Sequence, residues 1–184
     1  RVQERGVQLA MRFRSKTVAR LVEAIIVTGE RRPRDAAVWA LPTLAPERAL
    51  LLLPTLLSTH DIGLKTAAVG GLRQLGGASR LRADAELEVL LKRGPAAPTA
   101  ERREVARLLG RLRDAHYVDT LTRYLDDSDA TVRRLAIFAV GAGGYLELAP
   151  RLLRFLSWRD ERRHARDALA ALGDSVVPLL TQTL

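Results

Sequence analysis

Apolar positions recur in one register in the second half of the chain. Three stretches share it: Val105-Ala-Arg-Leu108-Leu109-Gly-Arg-Leu112, Leu135-Ala-Ile-Phe138-Ala139-Val-Gly-Ala142 and Ala165-Arg-Asp-Ala168-Leu169-Ala-Ala-Leu172, at a period of 30. Each carries small or apolar residues at its first, fourth, fifth and eighth places, which is one face of an α-helix. An Arg stands two residues ahead of each: Arg103, Arg133 and Arg163. A repeat of this size is one helical hairpin that cannot bury its own apolar face, so its copies must stack. The pattern predicts an all-α chain, an α-solenoid of about six stacked antiparallel hairpins.

Turn residues place the elements. Thr99 is the expected N-cap of a helix running to about Leu112, Asp114 of one running to about Leu125, and Asp129 of one from about Ala130 to Val140. Gly141-Ala-Gly-Gly144 is expected to break that helix. Its partner runs from about Leu146 to Leu156. Asp160 caps a helix ending near Leu172, and a last helix follows Gly173. Leu121/Leu125, Leu152/Leu156 and Leu180/Leu184 are i, i+4 pairs that line one core. Upstream, Ala37, Ala40, Leu41 and Leu44 fit the first-helix pattern, as do Ala68, Gly71, Leu72 and Leu75. Extra residues are expected in Gly76–Arg80 and Gly94–Pro98. Pro46 suits a first turn, and Pro54 is expected to kink its helix. Residues 2–14 and 17–28 read as a further hairpin. The expectation is one domain over residues 1–184, irregular over 1–98 and regular over 99–184, cut from a longer polypeptide.

Asp129-Ala-Thr-Val132-Arg133-Arg-Leu-Ala-Ile-Phe-Ala-Val-Gly141 resembles the first helix of a HEAT repeat of the short bacterial, phycobilin-lyase-like type. Arg162-Arg163-His-Ala165-Arg-Asp-Ala168-Leu-Ala-Ala-Leu-Gly173-Asp174 resembles it similarly. The resemblance implies that Asp129 and Arg133, and by position Arg103 and Arg163, join adjacent repeats through hydrogen bonds. It further implies a non-catalytic scaffold for a protein partner or for other domains of the same polypeptide. Short arrays of this kind stand in bacteria behind nucleotide-transporter-like membrane domains, so a cytoplasmic location follows from the same resemblance.

Composition narrows the chemistry. There is no Cys, hence no disulfide and no thiolate site. The longest apolar stretch, Ala49–Leu57, is broken by Pro54 and Thr55 and is far short of the roughly 20 residues a membrane span needs. His60, His116 and His164 lie far apart in sequence and none is paired with a Glu, so they read as surface residues. Asp126, Asp127 and Asp129 read as caps and repeat contacts rather than as a metal or hydrolytic cluster. No cofactor is expected.

The net charge is +9, and residues 1–34 carry most of it, with nine Lys or Arg against three Asp or Glu. Arg5, Arg12, Arg14, Lys16 and Arg20 therefore form a candidate electrostatic patch for an anionic membrane surface. A competing reading is a basic HEAT-like nucleic-acid-binding domain, akin to some DNA glycosylases. It is weakened because Trp39 falls in an apolar helix and Trp158 in a turn, away from any Asp pocket. Tyr124 and Phe155 hold similar places in consecutive second helices. They either fill the core or, with Arg123 and Arg154, form an exposed peptide-binding stripe.

Overall fold

The computed structural model describes residues 16–29 and 31–181. Helix α1 spans Lys16–Thr28, α2 Arg31–Leu44, α3 Pro46–Leu56, α4 Ile62–Leu75 and α5 Gly77–Arg93. They are followed by α6 (Thr99–Leu112), α7 (Val118–Leu125), α8 (Ala130–Gly143), α9 (Ala149–Leu152), α10 (Arg162–Leu172) and α11 (Val177–Thr181), with 3-10 turns between several of them. The protein is all-α, and no strand occurs among the described residues. The chain divides into two compact units, residues 1–92 and 93–184. Each is built of stacked helical hairpins, the construction of an α-solenoid. Residues 2–14, with Arg5, Arg12 and Arg14, lie outside the described residues.

In the first unit α2 packs on α1, α3 and α4, and α3 packs on α4. Ala37, Ala40 and Leu41 of α2 and Ala68 and Leu72 of α4 are fully buried, so the early helices do follow the spacing read from the sequence. Pro46 sits in the first turn of α3, where its missing N–H is no loss. The stretch at 76–80 is not a loop insertion. Gly76 (φ 72°) ends α4 and Gly77 (φ 51°) opens α5, so the residues after them are already helical. Helix α5 is tied to α4 by Lys65–Glu86 at 3.2 Å and by Arg73–Asp84.

In the second unit the first helices α6, α8 and α10 form one layer, with α8 packed against both others. Helix α7 lies against α6 and α8, the 153–156 turn lies on α10, and α11 lies on α9. Two glycines set the spacing of the first layer. A Cβ at Gly110 would stand 2.9 Å from Ala139 Cα, and one at Gly141 would stand 2.7 Å from Ala168 Cα. Backbones therefore meet where a side chain would hold them apart. This is why Gly141 does not break α8 as expected: it is a contact residue inside the helix. The break comes at Gly144 (φ 76°), whose left-handed conformation lets Tyr145 N–H return to Val140 O at 3.1 Å.

The caps depart from expectation in an instructive way. Asp129 caps α8, its carboxylate accepting from Val132 N–H at 2.9 Å. Thr99 lies inside α6, behind an uncapped Pro98. The residue preceding α10 is Glu161 rather than Asp160, and it makes no side-chain cap because its carboxylate is taken by Arg133.

Gly141→Ala separates packing from propensity. Alanine is the better helix former by about 1 kcal/mol, but here its methyl would enter the α10 backbone. We expect a net loss of about 1–3 kcal/mol in urea unfolding, the range for overpacking. A gain in stability would show that the α8–α10 contact yields.

Candidate interaction surface

Burial fixes the register of the first helices more finely than the period of 30. Val105, Ala136 and Ala165 are equivalent and fully buried, and so are Leu108, Ala139 and Ala168, at 3%, 0% and 4% exposure. The step is thus 31 residues from α6 to α8 and 29 from α8 to α10. The middle helix sits one residue later than a uniform period places it. Leu135 is consequently only half-buried and Phe138 is 59% exposed.

The same shift relocates the arginine ladder. Its members are Arg102, Arg133 and Arg162, and each reaches back to carbonyls of the preceding turn. Arg102 Nη1 donates to Ala97 O at 2.5 Å, Arg133 Nη1 to Asp127 O and Ser128 O at 2.9 and 3.0 Å, and Arg162 Nε to Leu156 O at 2.7 Å. Two of them also reach forward. Arg102 takes Asp127 in a two-bond fork of 2.7 and 3.1 Å, with the two side chains 10% and 6% exposed. Arg133 donates to Glu161 at 2.8 Å.

The acidic turn 126–129 gathers the rest. Arg103 forks onto Asp129 at 3.2 and 2.7 Å, holding that carboxyl down at about 2. Asp126 is taken by Arg154, which also donates to Leu125 O at 3.0 Å. Three aspartates of one turn thus face three arginines from two other elements, α6 and the 153–156 turn. Asp127 Oδ1 further accepts Asp129 N–H at 2.8 Å, which fixes the turn's shape. Arg163 does not join this network. Its side chain is 84% exposed and its ion pair, 3.9 Å to Asp167, lies within its own helix. The expectation of an inter-repeat role for Arg163 is corrected, because the 29-residue step puts Arg162 at the ladder position.

The second helices resolve the aromatic question. Tyr124 and Phe155 are 2% and 0% exposed, so they are core residues and not an exposed stripe. Burial pushes the Tyr124 phenol up to about 12. Leu152 pairs with Phe155 in that core, and Leu156 is only half-buried. Arg154 lies over the Phe155 ring at 4.6 Å and is engaged in the turn, while Arg123 is exposed. The tryptophans pack as well. Trp39 fills the space that a side chain at Gly70 would occupy, and Trp158, 43% exposed, lies under Arg133 and edge-on to Phe155. Tyr145 joins two hairpins, donating to Leu109 O at 3.2 Å and accepting from Asp114 N–H at 3.3 Å. No three His, Asp or Glu side chains among the described residues are grouped to hold a metal, and no described helix is long and apolar enough to cross a membrane.

Stacked hairpins joined by Arg–carboxylate ties, Arg102–Asp127 and Arg133–Glu161, are the build of a known repeat, and residues 86–173 match the family described as HEAT repeats. These residues are similar to HEAT repeats. No curated protein matches the chain. In these HEAT repeats sequence reasoning missed Arg102, Asp127, Glu161 and Arg162. The missed signal was an Arg five to seven residues beyond a turn, with an acid in the next turn.

Two outcomes test the ladder. Asp127→Ala strands the buried Arg102 guanidinium and is expected to lower stability by about 3 kcal/mol, while Arg163→Ala stays within about 0.5 kcal/mol, both read by urea unfolding. Asp129 titrates well below its ordinary value when folded, so its contribution is complete above about pH 4 and fades as pH falls toward 2. Asp129→Asn keeps the cap and removes the charge. Its stability should vary less over that window than that of the parent, and an unchanged acid limb would place the acid sensitivity elsewhere.

Proposed function

We propose that this chain is a non-catalytic HEAT-repeat scaffold that binds a protein partner or another domain of its own polypeptide, as a cytoplasmic module. HEAT repeats mediate protein interactions, and residues 86–173 are similar to that family. The observation that carries the reading is where the charged side chains of the repeats go. Arg102, Arg103, Arg133, Arg154, Asp126, Asp127, Asp129 and Glu161 are spent on joining hairpins. Chemistry needs convergent groups poised toward a substrate, whereas these satisfy one another. The finer version places the module in a larger bacterial signalling or transport protein, beside a nucleotide-transporter-like membrane domain.

An anionic membrane surface is a second partner, favoured by α1. There Arg20 is exposed beside Leu21, which is 60% exposed, with Val27 72% exposed further along the helix. Exposed aliphatics beside cations are the interfacial pattern.

Photo-crosslinking from position 123 in the native host is expected to give discrete protein adducts. A labelled DNA duplex and a single strand are expected to stay unbound at low salt. Tight binding that weakens steeply with salt would overturn the scaffold reading in favour of the nucleic-acid alternative. Sedimentation with phosphatidylglycerol vesicles, but not with phosphatidylcholine vesicles, is expected for the membrane partner, and Arg20→Glu with Leu21→Ala should abolish it. Equal sedimentation with both lipids would remove that partner.

A further inference from the structure

The register shift exposes a residue whose place in the stack is otherwise polar. Phe138 of α8 is the equivalent of Arg107 in α6 and Asp167 in α10, all three standing one residue before the buried Leu108, Ala139 and Ala168. Its neighbours in the row are charged and outward-facing. Phe138 is 59% exposed, the Arg107 side chain is 49% exposed and that of Asp167 is 67% exposed. The helices are held close here, since Gly110 meets Ala139 and Gly141 meets Ala168, the residues beside this row. The aromatic ring therefore stands on a rigid, tightly packed layer.

One turn earlier the equivalent positions are Arg103, Arg134 and Arg163, an arginine in every repeat. Arg103 is committed to Asp129. Arg163 is 84% exposed, and Arg134 keeps its Nε buried with no hydrogen-bond partner among the described residues. Buried donors are normally paired, so Arg134 is a cation with bonding capacity unspent. A single exposed apolar side chain needs no explanation, but one that replaces a charge one turn from a row of three arginines has a definite complement.

We propose that Phe138, with Arg107, Arg134 and Arg163 around it, is a docking site for an acidic protein segment carrying an aromatic or aliphatic anchor. The anchor covers the Phe138 ring, and carboxylates on either side take the exposed guanidinium groups of Arg163 and of Arg107, which also pairs with Glu104 in its own helix. Charge complementarity selects this occupant. A nucleic-acid backbone fits worse, because Asp167 shares the row and would face its phosphates, and because one ring is no stacking track. The proposal rests on the scaffold reading and adds the place and the chemistry of the partner.

The test is fluorescence anisotropy on the full chain with a labelled peptide of repeated Glu-Glu-Leu-Phe units. Binding that weakens with salt is expected. Phe138→Ala should weaken it about tenfold or more, the scale of an aromatic hot spot, and Arg163→Glu several-fold. Phe138→Tyr should retain it, and Arg151→Glu, at an exposed position on a second helix, should leave it unchanged. Each variant is exposed and should unfold thermally as the parent does. Binding that is indifferent to Phe138→Ala would overturn the site while leaving the scaffold reading intact. Equal binding of a Lys-Lys-Leu-Phe peptide would overturn the acidic occupant. No peptide binding would overturn the proposal outright, with the crosslinking result still deciding the scaffold reading. Displacement of the peptide by oligothymidylate, lost in Phe138→Ala, would assign the site to nucleic acid instead.

Discussion

The guanidinium of Arg102 and the carboxylate of Asp127 meet almost out of water, and the stacking of the second unit turns on that fork. A hairpin turn leaves carbonyls without helical partners, and a neighbouring hairpin that covers them must satisfy them. Arg102 and Arg133 do this from behind while holding an acid from the turn ahead. A planar group with five donors can serve two turns at once, which a lysine cannot. The close backbone contacts at Gly110 and Gly141 depend on the same geometry. Helices brought that near bury the ends of the turns, and the buried ends require the arginines.

Much of this was legible. Helix type, the hairpin organisation and the cap at Asp129 follow from spacing and turn residues, because amphipathic periodicity is strong in α6 and α10. The one-residue shift of α8 was not legible. Leu135, Phe138 and Ala142 satisfy the helical pattern as well as Ala136, Ala139 and Gly143 do, since the helix is apolar on most of its surface. Only the facing helices decide which set turns inward. The misplacement passed directly to the site, making Arg163 a ladder residue and hiding Arg162.

Glycine and aromatic residues were read by local rules where tertiary contacts decide. Gly141 serves packing within a helix, and the chain turns only at Gly144. Tyr124 and Phe155 recur at a similar place in consecutive second helices because the core needs bulk there. Recurrence along a repeat protein marks interior positions as readily as binding positions, and the residue that breaks the recurrence, Phe138, is the one left outside.

The ladder gives the stack a polarity with a bearing on growth. Residues 130–161 hold both Arg133 and the Glu161 that it binds. A tandem copy of this stretch inserted after position 161 would bring its own donor and its own acceptor, and both Arg133 and its copy would find an acid one turn ahead. The array could lengthen by whole hairpins with no new interface chemistry. Removal of a turn alone would orphan one charge on each side of the cut.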